Sequence, residues 1–402
     1  MIGARLKQAR LLAGMTQREL AGALGENGLK ITAAAISKYE NEKSYPSAQF
    51  MLRASGVLGV PSSYFLHQPL VSVKWTAFRR HSGFGKKRQE AVKAYASDLA
   101  ELQVELHSAL YPNSAPQFPE PAIATDYGDV EKIAAKLRAA WDVGNRPLDN
   151  LVQTAEDHGV IVISWDDDSG RFDGLSGWCG KYPVTVINAN RSSDRLRFNL
   201  AHEIGHLVMD TSQAVEDEEN LAHRFAAALL VPEEHAFHEL GRERRQLDWG
   251  ELKMLKRKYG LSMAAWIRRA RDLKIISEHH YKNLNIELSS FGWRTREPVE
   301  YLGDEEPIQL KQMIQRAVAE GLVSLDRMTR IGVDFWEPEK ERHDSEHLTV
   351  YDLLAMPEDE RKAVIARAFE LAANEDFEEF EAYEIYDDYI EELDDETTES
   401  SK

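Results

Sequence analysis

The sequence predicts an α+β protein, predominantly helical, and two observations carry the prediction. Apolar residues recur at helical spacing through most of the chain, in runs that open on Ser, Thr or Asp and close on Gly. Two compact stretches, GVIVISWD at 159–166 and GLSGWC…YPVTVINAN at 174–190, are instead apolar or alternating and rich in β-branched and aromatic residues, as strands are. Charge is divided between the ends: residues 1–67 hold 8 bases and 4 acids, whereas residues 370–402 hold 15 acids and one base. At roughly 100–200 residues per domain, 402 residues make two to four domains. The single cysteine, Cys179, excludes a disulfide framework and reads as a small buried residue. No run approaches the roughly 18 apolar residues of a membrane span, and the N-terminus carries charges in its first turns, unlike a secretory signal. A cytoplasmic protein with no membrane partner is expected.

The chain divides into five stretches. Residues 1–68 form an all-α unit. Residues 69–125 form a basic helical linker, with a helix from about Lys87 to Leu110 and a proline-rich end at Pro112, Pro116, Pro119 and Pro121. Residues 126–240 mix helices and strands. Residues 241–338 form a helical lobe with short extended pieces near Asn285–Trp293, and residues 339–402 form an acidic tail.

In the first unit Ile2, Leu6, Ala9 and Leu12 share one helix face. Thr16 with Glu19 makes a capping box for a helix that should stop at Gly25. Thr32 opens a third helix, Pro46-Ser47 a fourth, and VPSSYFL closes the unit. With TQRELA, ISKYENEK and the final Tyr-Phe, these 65 or so residues resemble the Xre/Cro-type helix-turn-helix domain. The resemblance implies binding to double-stranded operator DNA, its own promoter included, as a homodimer on paired half-sites. It places Gln17 on phosphate and turns Thr32, Ala33, Ala34, Ser37 and Lys38 toward DNA. Alanines can contact only a thymine methyl, so base reading would fall to Ser37, Lys38, Asn41 and Lys43. The ENGLKI turn is longer than the motif usually has.

The middle stretch carries His202-Glu203-Ile204-Gly205-His206. Histidines four apart return to one helix face, where both can reach one Zn²⁺ at about 2.0–2.1 Å. Glu203 follows, placed to take a proton from an attacking water and return it to a leaving amine. Ala201, Ile204, Leu207, Val208 and Met209 make the helix apolar and buried, where idle polar residues would be costly. A catalytic zinc needs a third protein ligand and an open position. The next helix offers Glu219, with Glu218 and His223 as rivals. A structural zinc would need four ligands, and no fourth is apparent.

DRLRFNLAHEIGH together with Glu219-x-x-Ala222-x-x-Phe225-Ala226-Ala227-x-Leu229-Leu230-x-Pro232 resembles the ImmA/IrrE family of zincin-like metallopeptidases. That resemblance implies His202, His206 and Glu219 as zinc ligands and Glu203 as general base. The family usually has Asn where this chain has His223. It also implies strands beside the zinc helix, one of them an edge that could hold a peptide by strand addition. Tyr259, His223 and nearby arginines are candidates for stabilising an oxyanion.

The tail sets Phe377, Phe380, Tyr383, Tyr386 and Tyr389 among acids, and resembles the toxin-covering segments of antitoxins. The expected function is therefore a DNA-binding regulator with a zinc endopeptidase domain acting on a regulatory protein. The alternative is a non-catalytic antitoxin and repressor that neutralises a cognate toxin through its acidic C-terminal region.

Overall fold

In the computed structural model the described residues are 2–67, 71–80, 84–169 and 171–322. The tail reading lies outside them. None of the described helices is long and apolar enough to cross a membrane.

The head consists of α1 (Ile2–Leu12), α2 (Gln17–Glu26), α3 (Ala33–Glu40), α4 (Ala48–Leu58) and a 3₁₀ turn at Ser62–Leu66. Leu6, Leu20, Leu24, Ile36, Phe50 and Phe65 meet in its core. The capping box forms: Thr16 Oγ1 accepts from Glu19 N at 3.1 Å, and Glu19 Oε2 accepts from Thr16 N at 2.6 Å. The helix it starts continues through Gly25 to Glu26, because the stop comes from the Asn27 cap rather than from the glycine. Buried Glu40 closes the core, taking Arg10 Nε at 2.5 Å.

Beyond the head comes β1 (Val73–Arg80), then α5 (Lys86–Leu110), β2 (Ala122–Ile123), α6 (Tyr127–Ala140) and α7 (Leu151–Asp157). Strands β3 (Ile161–Trp165), β4 (Phe172–Cys179) and β5 (Tyr182–Asn188) precede α8 (Ser193–Val208). Then follow β6 (Met209–Asp210), α9 (Glu218–Leu230), α10 (Glu233–Leu240), α11 (Trp249–Tyr259), α12 (Met263–Asp272), α13 (Glu278–Ser290) and α14 (Gln309–Ala319). The main sheet has the order β1-β4-β5-β3, with β3 and β5 parallel and the other neighbours antiparallel.

Alternation along the strands buries both faces of that sheet. Ile161, Ile163, Val184 and Val186 pack with α5 and α14 on one side. Val162 and Ile187 pack with α6, α8 and α9 on the other. Two expectations change here. Residues 73–80, read from their bases as part of a linker, are a sheet strand whose Val73 and Trp75 pack on the α5 side. The extended pieces expected near Asn285–Trp293 are instead helix as far as Ser290. Ser277 caps α13, and Leu284 and Leu288, one turn apart, are buried.

The head rests on α5 through charges withdrawn from water. Arg5 lies 2.8 Å from Glu101 and 3.4 Å from Asp98, and the Tyr64 hydroxyl donates to Asp98 at 3.0 Å. Burial pushes Asp98 up to about 6 and Glu101 up to about 7, against the pull of Arg5. Both carboxyls thus keep protons in the folded chain at pH values where the unfolded chain has lost them. The contact is strongest below about pH 4 and weakens as pH rises toward 7. Arg5→Ala would leave both carboxylates buried without their cation, at a cost of about 3–5 kcal/mol near neutral pH. Hydrogen exchange along α1 and α5 at pH 5 and 7.5 checks this. The variant should lose protection at 7.5 and recover part of it at 5, and equal protection in both proteins at both pH values would refute it.

Candidate metal centre and nucleic-acid interface

Helix α8 is locked in rotation by the polar contacts of three of its side chains, Arg197, Asp194 and Asn199. Arg197, fully buried, pairs with Glu305 and donates to the Tyr301 hydroxyl at 2.9 Å and to Leu148 O at 2.7 Å. Lys256 reaches Asp194 at 3.0 Å near the start of the helix, and Asn199 Nδ2 donates to Asp173 O of β4 at 3.3 Å. Helix α9 is fixed at its far end, where Arg138 donates to Leu229 O at 2.5 Å and Arg269 to Val231 O at 3.1 Å. These two buried guanidiniums satisfy carbonyls that a helix C-terminus leaves open. The helices approach closely at Gly205, where a Cβ would lie 3.0 Å from the Phe225 ring.

This approach brings the predicted ligands together. His202 Nε2 lies 3.1 Å from His206 Nε2 and 3.3 Å from Glu219 Oε2, and His206 Nε2 lies 3.6 Å from Glu219 Oε1. Four ligands about 2.0–2.1 Å from a tetrahedral zinc stand about 3.3–3.4 Å apart. The donor set therefore fits such an ion in both chemistry and spacing. The imidazoles are enclosed, while the Glu219 side chain is 43% exposed, so the centre opens on the α9 side.

Glu218, a rival for the third ligand, lies on the outer nitrogen of His206: its Oε1 is 3.0 Å from His206 Nδ1. That is the position of a carboxylate that orients a ligating imidazole. Burial alone would push His206 down, but the Glu218 hydrogen bond and the charges of Glu203, Glu219 and Glu218 outweigh it and hold it raised. The hydrogen bond to His206 holds Glu218 low in turn. Metal and proton thus compete for His206. His202 and Glu219 also form a group with His223, whose ligand atom lies within 4.8 Å of theirs.

Glu203 lies one residue along the helix, almost fully buried, beneath Gly174 of β4. A Cβ at Gly174 would stand 2.7 Å from Glu203 Cγ. The glycine allows the strand to pass over the carboxylate, a demand set by residues 29 apart in sequence and invisible in either segment alone. Gly174→Ala should displace Glu203. Since a misplacement of about 1 Å can cost about 100-fold, hydrolysis should fall by that order with metal content unchanged. Wild-type turnover by this variant, measured with its metal content, would show that Glu203 is not used where it lies.

Two further expectations are corrected. The strand over the centre is not an edge: β4 is paired with β5 on one side and with β1 on the other, where Arg79 stands opposite Gly174. A peptide could pair with β4 only by displacing β1. Tyr259 is not at the centre, being committed in the core to Glu239 at 2.9 Å. Arginines do lie nearby, with Arg191 and Arg195 at 3.2 and 3.3 Å from Asp173, the neighbour of Gly174.

In the head, Thr32 caps α3 through Ala35 N at 3.2 Å. Thr32, Ala34, Lys38, Asn41 and Lys43 are exposed, and Ala33 and Ser37 half-buried. Asn41 Nδ2 donates to Ser37 O at 2.7 Å, which ends the helix. Gln17 donates to Glu40 at 2.7 Å and so braces α2 against α3. Tyr45, just past Lys43, is 85% exposed.

A helix-turn-helix head joined to paired helices carrying His and Glu donors beneath a sheet is the layout of a regulator fused to a metallopeptidase-type domain. Residues 6–65 match the family described as helix-turn-helix, and residues 155–271 match the IrrE N-terminal-like domain of the M78 peptidases. The chain thus carries both domains over these residues. No curated protein matches it.

Proposed function

We propose that the protein is a DNA-binding transcriptional regulator whose second domain is a zinc-dependent endopeptidase acting on a regulatory protein. The observation that supports it most is the convergence of His202, His206 and Glu219 at 3.1–3.6 Å with Glu203 beside them under β4. His202, His206 and Glu219 would hold the ion. When bound, zinc supplies Lewis-acid polarisation of the scissile carbonyl. Glu203 takes the proton of the attacking water and passes it to the leaving amine, which its burial beside the donors favours. Glu218 keeps His206 turned toward the cluster. Elemental analysis of the purified full chain should find about one zinc per chain, and chelation should stop cleavage of proteins that co-purify. Cleavage indifferent to metal removal would overturn this reading.

The head binds DNA through α3 in the same proposal, as a homodimer. Lys38 and Lys43 would reach base edges with Ser37 and Asn41. Replacing either with Ala should cost about 1–3 kcal/mol of binding to the gene's own upstream DNA and relax the sequence preference. Unchanged affinity and sequence preference in the Lys38→Ala, Lys43→Ala double variant would place the interface elsewhere.

A further inference from the structure

We infer that β1 is an autoinhibitory strand: it occupies the edge of β4 on which a peptide would be laid beside Glu203, and a substrate has to displace it. This rests on the peptidase reading above and adds to it how the site is kept shut.

An extended peptide is held by strand addition only where a sheet offers a free edge. The strand that passes over Glu203 is β4, at Gly174. Its inner edge is taken by β5, with Ile187 opposite Gly174. Its outer edge is taken by β1, with Arg79 opposite Gly174. Strand β1 runs antiparallel to β4, so the chain's own backbone uses the hydrogen-bonding edge that a bound peptide would need. The two strands approach closely: a Cβ at Gly177 would lie 2.6 Å from Lys74 O and 2.8 Å from Trp75 Cε3. Strand β4 is thus bare at Gly174 toward Glu203 and at Gly177 toward β1.

Of the strands in this sheet, β1 is held more weakly than β4 and β5. Every residue of β5 is buried, and every residue of β4 except Trp178. In β1, Val73 and Trp75 are only half-buried, while Lys74 and Thr76 are exposed. Its register slips between Trp75 and Ala77 and again between Arg79 and Arg80, and each slip interrupts the ladder. Little burial and interrupted pairing mark a segment that opens locally while the rest of the sheet stays closed. Strand β1 also follows the head's last turn, Ser62–Leu66, after residues 67–72, so it is continuous with the head.

Val73 stands directly opposite Cys179, the chain's single cysteine, which supplies a test. Opposite residues of antiparallel strands lie within the roughly 4.4–6.8 Å that a disulfide spans, so Val73→Cys, closed with oxidised glutathione, pins β1 to β4. Hydrolysis of a peptide mixture made from host-cell proteins is followed by mass spectrometry in zinc-loaded full-length protein. Oxidised Val73→Cys should hydrolyse at least about tenfold more slowly than the same protein reduced, with wild type indifferent to the treatment. Val73→Ala with Trp75→Ala, which loosens β1 without touching β4, should raise hydrolysis roughly tenfold as the open fraction grows. Hydrogen exchange gives a reading independent of turnover. In Glu203→Gln, adding the peptide mixture should strip protection from the amides of Val73–Arg80 and leave those of Tyr182–Asn188 protected. Equal hydrolysis by oxidised and reduced Val73→Cys, or β1 protection unchanged while Glu203→Gln retains peptide, would overturn the inference and make β1 a permanent strand. Clipping of wild type within residues 73–80 would also overturn it, since β1 would then be the substrate. No hydrolysis by any form, the reduced ones included, would instead overturn the peptidase reading, and this inference with it. Should the β1 variants misfold, the exchange measurement decides alone, since it leaves β1 unaltered.

Discussion

Glu203→Gln is expected to keep its metal and lose hydrolysis. The side chain is isosteric and sits beside the donor cluster, so the spacing of His202, His206 and Glu219 should survive. What disappears is the carboxylate that accepts a proton, since an amide cannot act as a base at neutral pH. Proton transfer by a positioned side chain is worth about 10²–10⁴-fold, and the loss should fall in that range. Elemental analysis together with cleavage of a peptide mixture read by mass spectrometry separates the two effects. A metal-free variant would make Glu203 a structural support, and retained cleavage by clean, metal-loaded variant would remove it from the mechanism.

Glu219→Ala is expected to release the metal. The carboxylate stands 3.3 Å from His202 Nε2 and 3.6 Å from His206 Nε2, and it is the acid placed among the imidazole nitrogens proposed to hold the ion. Glu218 approaches the far side of His206 instead, so Glu218→Ala should cost only the roughly 10–100-fold of an orienting partner. The two alanine variants should thus differ by more than a decade in zinc affinity, measured by competition with a chromophoric chelator. The reverse order would exchange the roles of the two glutamates.

The parts of this site readable in the sequence are those set by local periodicity. HExxH places two histidines on one face through helix geometry alone, and the caps at Thr16, Thr32 and Ser47 mark helix starts within a few residues of the chain. Glu219 could be singled out only through the family likeness, because Glu218 is its neighbour and only the packing of α9 on α8 separates their roles. Other features depend on contacts between distant segments. Strand β1 pairs Lys74 with Trp178 across 104 residues, and its bases hid the alternation of Val73 and Trp75. Gly174 became legible once Glu203 was found beneath it. Arg5 meets Glu101 and Asp98 across the head's boundary, and nothing near Arg5 in sequence announces two buried acids.

The central claim is that this regulator cuts a protein, and capture in the native cell tests it most directly. Tagged wild type and Glu203→Gln would be purified in parallel and their bound proteins identified by mass spectrometry. A partner intact on the variant but clipped at one bond with wild type is the predicted result. A partner held intact by both would contradict it and favour a chain that binds and represses without cleaving.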